Sequence, residues 1–151
     1  MFYDRQGNPI EDTLKYGRMH ADPDYKRVAE TAIGPLWVST VWLGIDMGFM
    51  QILADAGEAP YKPVIFETMV FPVDRPAHGH EPMAKWLAAN DAVIANLHPE
   101  LRDWVESQWR YSTEAEAIAG HDSVCVELRT LIAKIEMADE VEAEAIERSS
   151  Q

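Results

Sequence analysis

The residue best placed to do chemistry is a glutamate inside an apolar run. Residues 63–71 have the sequence P-V-I-F-E-T-M-V-F, so Glu67 and Thr68 stand between two apolar stretches. A charged side chain is seldom buried unless it is paired or serves a purpose. The pattern favours either a half-solvated sheet face or a carboxylate in a pocket rimmed by aromatic residues. In such a pocket Glu67 would transfer a proton or hold a ligand cation.

The second candidate is His121, which stands on the apolar stripe of a long helical pattern, directly after Gly120. Glycine in a helix interior costs about 0.8–1 kcal/mol relative to alanine, so it often marks close backbone approach. We expect His121 to be buried with one backbone or side-chain partner, and a ligand-binding or general-base role is the alternative. If His121 met Glu67 across the sheet, the two would form an acid–base pair.

A possible metal site lies in the segment H-G-H-E, which contains His78, His80 and Glu81. Imidazole and carboxylate groups suit zinc and similar ions. A zinc site usually also needs a second group of ligands at a defined spacing. The zinc-binding motif H-E-x-x-H is absent from the chain, and the nearest further histidine that could act as a ligand is His98. We therefore expect a solvated loop here and no metal.

The common catalytic signatures are missing from the chain. There is no G-x-x-x-x-G-K-[ST], no G-x-G-x-x-G and no G-x-S-x-G. The single cysteine, Cys125, lies on the apolar stripe with His121 and has no base beside it in sequence, which indicates packing rather than nucleophilic chemistry. We expect no cofactor, and no motif in the sequence indicates enzymatic activity.

The elements that would position these residues follow from the pattern of the chain. Gly34-Pro35 separates two runs that predict an antiparallel hairpin, and the run at 63–71 predicts a third strand. The segment S-Q-W-R-Y-S, residues 107–112, predicts a fourth strand, and residues 72–106 an inserted helical segment. Thr113 to Glu116 fit a capping box that begins a long helix, whose acidic end, residues 137–151, frays or projects.

Together these elements predict one α+β domain over residues 1–151. We expect an antiparallel sheet of about four strands, a long C-terminal helix packed on one of its faces, and the inserted helical segment. If the third and fourth strands pair, Arg110 and Tyr111 become neighbours of Glu67 and Thr68.

Composition restricts the class of partner. Of the 151 residues, 26 are acidic and 13 basic, for a net charge of −13. Nucleic-acid binding depends on neutralising phosphates with Lys and Arg, so this balance argues against it. One cysteine permits no intramolecular disulfide, and the chain has no apolar run of about 18–20 residues. The charged and turn-forming residues at the start of the sequence lead us to expect no signal peptide. We expect a cytoplasmic protein without membrane contact.

Three strings of the chain resemble a family of small uncharacterised bacteriophage and prophage proteins. They are W-V-S-T-V-W-L-G-I-D, P-V-I-F-E-T-M-V-F and W-R-Y-S-T-E-A-E-A-I-A-G-H, and the opening Y-D-R-Q-G-N-P-I is similar too. Residues 72–106, which contain H-G-H-E, lie outside the resemblance. The resemblance implies a phage accessory protein that acts in the bacterial host cytoplasm.

The resulting expectation is a non-enzymatic accessory protein that binds a protein or small-molecule partner, in counter-defence or host takeover. Its site would combine Glu67, Thr68, Arg110 and Tyr111, with His121 as a further ligand-binding candidate. Self-association through the sheet edge or the inserted helices is also expected. One alternative is a small enzyme with Glu67 and His121 as its acid–base pair. The other is an acidic mimic that occupies a nucleic-acid-binding protein through its C-terminal helix.

Overall fold

A computed structural model describes residues 1–47, 62–72, 91–105 and 107–150.

The first element of the fold is a small hairpin. Strands β1 (Phe2–Tyr3) and β2 (Pro9–Ile10) pair antiparallel, and Gly7 between them has a φ of 83°, which glycine adopts without strain. Arg5 in the connecting turn forms an ion pair with Glu114, so the hairpin is tied to the first turn of the C-terminal helix.

Two short helices follow, and an aspartate begins each of them. The Asp12 carboxylate accepts hydrogen bonds from the backbone of Leu14 and Lys15 at the start of α1 (Thr13–Ala21). Asp22 ends α1 and caps α2 (Pro23–Lys26) in the same way, with Pro23 in the first turn of α2. Both caps satisfy backbone N–H groups that have no partner inside the helix.

A four-stranded antiparallel sheet forms the centre of the molecule. Its strands are β3 (Arg27–Ile33), β4 (Leu36–Trp42), β5 (Phe66–Pro72) and β6 (Gln108–Tyr111), in the order β3-β4-β5-β6. The turn between β3 and β4 contains Gly34, whose φ is 53°. The predicted α+β class is confirmed.

The inserted segment is described only in part. Residues 91–96 are helical, and a short helix α3 (Pro99–Arg102) follows, with Pro99 in its first turn. The expected insertion began at residue 72, but Pro72 is still part of β5. Residues 73–90 and 106 of the expected insertion lie outside the described residues.

The C-terminal helix α4 (Glu114–Ser149) packs across all four strands of the central sheet. It begins with the predicted capping box, in which Thr113 and Glu116 exchange hydrogen bonds with each other's backbone N–H. Its 36 residues extend about 54 Å. The contact face ends at Ile135, and residues 136–150 are exposed, so the acidic end projects as a helix.

Two hydrophobic clusters hold α4 on the sheet. One contains Trp42, Phe66 and Ala117, together with residues of the N-terminal hairpin and α1. The other contains Val38, Val70, Leu97, Leu101 and Leu128, among others. No helix within the described ranges is long and apolar enough to cross a membrane.

Candidate functional site

Side chains alternate between the two faces of the central sheet, and α4 covers only one face. We call the side that packs on α4, with Thr31, Val38, Thr40, Thr68 and Val70, the helix-covered face. The opposite face consists of two cross-strand rows of side chains. The first row is Arg27, Val41, Glu67 and Arg110, and the second is Glu30, Ser39, Met69 and Gln108.

His121 lies at the centre of the helix-covered face and is 3% exposed. Its Nε2 is 2.9 Å from the Thr31 hydroxyl, and its Nδ1 is 2.8 Å from the Thr40 hydroxyl. Thr40 in turn lies 2.6 Å from the Thr68 hydroxyl. These residues form a buried polar chain between the two hydrophobic clusters, and both ring nitrogens of His121 are used in it.

Burial lowers the pKa of His121, and the positive charge of Arg129 also lowers it, whereas Asp122 acts in the opposite direction. A histidine with a lowered pKa stays neutral near pH 7, and a neutral ring has one N–H and one acceptor nitrogen. Two threonine hydroxyls can satisfy both, because a hydroxyl donates and accepts. Both ring nitrogens of His121 therefore already have hydrogen-bond partners within the protein, which indicates a structural role.

Tyr111 explains the glycine that precedes His121. A Cβ atom at position 120 would overlap the Tyr111 hydroxyl and ring, so only glycine allows α4 to lie this close to β6. Burial raises the pKa of the Tyr111 phenol, partly offset by a hydrogen bond with Thr68. Tyr111 and Thr68 thus belong to the same packed interface as His121.

Cys125 is buried one helical turn after His121. Burial raises the pKa of its thiol, so the nucleophilic thiolate is disfavoured. The sequence-based interpretation of Cys125 as a packing residue is confirmed.

Glu67 on the opposite face is held by Arg110. The register places the two residues side by side, and Arg110 Nε donates to Glu67 Oε2 over 2.9 Å. The Glu67 side chain is 11% exposed and that of Arg110 39%, so the pair bridges the interior and the surface. A further N–H of Arg110 donates to Gln108 over 3.0 Å, which fixes the guanidinium on the sheet. Glu67 is therefore buried and paired, while Val41 and Met69 on the same face are half-buried and Arg110 is exposed, as expected for a half-solvated sheet face.

A cavity of about 300 Å³ lies beside Glu67 on the opposite face. The corner between α1 and α2 forms one wall, and the two rows of the sheet form the other. The cavity is lined by His20, Ala21, Pro23, Lys26, Arg27, Glu30, Ser39, Val41, Leu43, Glu67, Met69 and Phe71. Pockets that bind small molecules begin at about this size.

Two buried polar groups in the cavity have spare hydrogen-bonding capacity. Ser39 is 4% exposed, and within the described residues its hydroxyl has no hydrogen-bond partner. Glu67 uses only Oε2 for Arg110, and no described residue bonds Oε1. Among the described residues, the fully buried side-chain atoms without a hydrogen bond are Arg27 Nε, in the wall of this cavity, and Trp42 Nε1. The Ser39 hydroxyl and Glu67 Oε1 are instead within reach of solvent, so a molecule that enters the cavity can bond them.

Charged residues at the mouth of the cavity are already paired. Arg27 Nε lies 3.2 Å from Glu30 Oε2 without forming a hydrogen bond, and Arg27 also contacts the exposed Asp24 at 3.4 Å. Burial lowers the pKa of His20 in the cavity wall, and Lys26 lowers it further. His20 is therefore neutral near pH 7 and can donate or accept a hydrogen bond.

The single site expected from the sequence is divided between the two faces. Glu67 and Arg110 meet as predicted, but Thr68, Tyr111 and His121 lie on the helix-covered face. The reason is the strand period of two, which directs neighbouring residues of β5 and β6 to opposite sides. The Glu67–His121 acid–base pair is therefore also wrong, because the sheet separates its members.

Of the residues that line the cavity, the sequence-based prediction named only Glu67 as a site residue. His20, Arg27, Glu30 and Ser39 come from the first 40 residues, where the pattern showed helices and a hairpin but no site. Of these four residues, only Ser39 could have been recognised from the sequence, because the alternation of β4 places this polar residue on the same sheet face as Val41.

The expected histidine loop remains untested by the structure. His78, His80 and Glu81 lie outside the described residues. Among the residues that are described, no three His, Cys, Asp or Glu side chains come together to hold a metal ion.

The fold and the cavity together define an α+β protein with a small polar pocket on one sheet face. Comparisons with protein-family models, curated proteins and solved structures found no match to this chain. The function is therefore inferred from the geometry of the cavity.

Proposed function

We propose that this protein is a non-enzymatic accessory protein that binds a small molecule in the cavity beside Glu67. The observation that carries the proposal is the pair of buried groups, Glu67 Oε1 and the Ser39 hydroxyl, with unused hydrogen-bonding capacity in a cavity of about 300 Å³. Apolar side chains with a few convergent polar groups are the usual lining of a ligand pocket.

The ion pair favours binding over proton transfer. Arg110 occupies one oxygen of Glu67 and fixes the orientation of the carboxylate, which leaves the other oxygen as a fixed hydrogen-bond acceptor. His121, the base expected from the sequence, lies on the other face of the sheet. An acid–base role for Glu67 would need a different partner.

The biological setting of the proposal follows from the resemblance to phage proteins. Such a protein would act in the cytoplasm of a bacterial host, and binding a small molecule would serve counter-defence or host takeover. We also propose that it self-associates, through the sheet edge or the inserted helical segment.

Native mass spectrometry of protein purified from a bacterial host tests the proposal. We expect mass in excess of the bare monomer or oligomer, and the same spectrum gives the number of subunits. Glu67→Gln keeps the size of the side chain and removes its charge, so this variant should lose most of the excess mass.

The control for that experiment is Glu142→Gln, which makes the same chemical change on the exposed end of α4. It should retain the bound mass. Bare wild-type protein, or equal loss in both variants, would contradict the proposed site.

A second candidate function is supported by the projecting end of α4. Residues 136–150 are exposed, and they include six acidic side chains and one arginine: Glu136, Asp139, Glu140, Glu142, Glu144, Glu147 and Arg148. A rigid acidic helix resembles the charge of a nucleic acid, so it would suit the basic surface of a nucleic-acid-binding protein.

The two functions are separated by two variants in a phage-infection assay. Removal of residues 137–151 abolishes the acidic-mimic role and leaves small-molecule binding intact. Glu67→Gln has the reverse effect. If both variants behave as wild type, neither the cavity nor the acidic end carries the function.

A further inference from the structure

We infer that the ligand of the cavity is a small organic cation, with an amine, amidine or guanidine head and a compact apolar body. This inference rests on the proposed function and specifies the chemical class of the ligand. Its head would bind Glu67 Oε1 and the Ser39 hydroxyl, and its body would lie against the apolar side chains of β4 and β5.

The hydrogen-bonding groups that remain available in the cavity are mostly acceptors. Glu67 Oε1 has no described partner, and Glu30 uses only Oε2 for Arg27. Carboxylate oxygens only accept, and the Ser39 hydroxyl both donates and accepts. A ligand that satisfies these groups must therefore supply several N–H or O–H donors.

The cationic donors of the cavity, by contrast, already have partners within the protein, although Arg27 Nε contacts Glu30 without forming a hydrogen bond. Arg27 is paired with Asp24 and Glu30, and Arg110 with Glu67 and Gln108. Lys26 also has a partner. An anionic ligand would have to compete with these existing pairs for its contacts, whereas a cationic head would use acceptors that are still available.

A positive charge on the ligand adds to the hydrogen bonds. Bonds between a charged donor and a carboxylate are roughly twice as strong as neutral ones. The net charge of −13 also attracts cations from solution. Arg110 opposes this attraction at short range, but its own charge is neutralised by Glu67.

The apolar wall and the volume limit the size of the ligand. Val41, Leu43, Met69 and Phe71 contribute apolar side chains to the lining of the cavity. A volume of about 300 Å³ equals that of roughly ten water molecules, enough for a single ring or a short chain.

Three probes of nearly equal shape test the inference: benzamidinium, benzamide and benzoate, which are cationic, neutral and anionic. Each is titrated into isotope-labelled protein, and amide chemical shifts report binding. We expect shifts around Ser39, Val41 and Glu67 on the opposite face. Benzamidinium should bind about tenfold or more tightly than benzamide, and benzoate more weakly than either.

Amino-acid substitutions test whether Glu67 causes the preference for the cationic probe. Glu67→Gln should reduce benzamidinium affinity to about that of benzamide, and the exposed control Glu142→Gln should leave it unchanged. Arg110→Gln removes the competing cation and should tighten benzamidinium binding. This third variant keeps the test decisive if Glu67→Gln does not fold.

The outcomes show separately whether the ligand is a cation and whether the cavity binds small molecules at all. If benzamide or benzoate binds in the cavity as tightly as benzamidinium, the cation inference fails and the small-molecule site remains. If benzamidinium binds equally to wild type and a folded Glu67→Gln protein, the assigned contact is wrong. If none of the probes shifts resonances of the cavity, both the ligand class and the proposed site are contradicted.

Discussion

The two faces of the central sheet use similar polar residues in different ways. On the helix-covered face, hydroxyl groups and the His121 imidazole satisfy one another in a buried chain. On the opposite face, Glu67 and Ser39 are also buried, but each retains an unused hydrogen-bonding position in a cavity. The difference separates polar groups that hold the fold together from polar groups that are available to a ligand.

The contrast is sharpest between residues that are adjacent in the chain. Thr40 bonds both His121 and Thr68, whereas the Ser39 hydroxyl has no partner within the described residues. Removing a bonded buried group leaves its partners unsatisfied, which costs about 1–3 kcal/mol each. Removing an unbonded one has no such effect. Stability should therefore depend on one face and ligand binding on the other.

The largest effect on stability is expected at Gly120. In Gly120→Ala the new Cβ overlaps Tyr111, so α4 or β6 must shift. We expect a loss of about 3 kcal/mol in the free energy of unfolding, measured by urea denaturation, despite the better helix propensity of alanine.

The control for this substitution is Gly17→Ala in α1, where a Cβ would have no atom within 4 Å. The same change should there stabilise the protein by about 0.5–1 kcal/mol. Equal effects at the two glycines would contradict the close packing of α4 on Tyr111.

Paired substitutions at Thr40 and Ser39 compare the two faces directly. Thr40→Val keeps the shape of the side chain but removes the hydroxyl between His121 and Thr68, so we expect a loss of about 2 kcal/mol. Ser39→Ala should change the free energy of unfolding by less than about 0.5 kcal/mol. Thermal unfolding monitored by circular dichroism checks both variants, and a larger loss for Ser39→Ala would reverse the assignment of the faces.

The pH dependence of stability tests the buried histidine. Because the pKa of His121 is lowered in the folded protein, the unfolded chain binds a proton at a higher pH than the native state does. Stability is therefore fully present above the unfolded pKa of about 6.5 and falls as the pH drops below it. Urea denaturation between pH 7.5 and pH 5, a range chosen around that pKa, should show this decrease.

The variant His121→Gln removes the titrating group and retains hydrogen-bonding capacity. Its stability should fall less steeply over the same pH range. His20, whose pKa is also lowered, remains in both proteins and contributes a common background. Identical slopes for the variant and the wild type would show that His121 is not held neutral by burial.

The smallest effect is expected at the projecting end of α4. Removal of residues 137–151 deletes exposed side chains that lie beyond the last contact with the sheet at Ile135. The free energy of unfolding should change by less than about 0.5 kcal/mol. A loss comparable to that of Thr40→Val would mean that this segment packs on the domain.

The sequence predicted the local elements well because their signals are local. The capping box at Thr113 and Glu116 and the turn at Gly34 each mark an element by backbone chemistry that operates over a few residues. The pairing of Glu67 with Arg110 was also foreseen, because the strand pattern fixed which residues could be opposite each other.

The cavity was not foreseen because it depends on long-range geometry. Simple alternation places Arg27 on the same face as Ala29, but a β-bulge between them changes the register and turns Arg27 to the opposite face. The corner of α1 and α2 brings His20 over the sheet by packing that no local pattern specifies. The error of grouping Glu67 with Thr68 came from treating neighbours in sequence as neighbours on a surface.

The most direct test measures stability and ligand content in the same two variants, Thr40→Val and Glu67→Gln. Thr40→Val should lose about 2 kcal/mol in the free energy of unfolding and keep the bound mass seen by native mass spectrometry. Glu67→Gln should lose the bound mass and remain within about 1 kcal/mol of the wild type, because glutamine keeps an oxygen that can accept from the half-exposed Arg110. If folded Thr40→Val loses the ligand while Glu67→Gln keeps it, the division of roles between the two faces is contradicted.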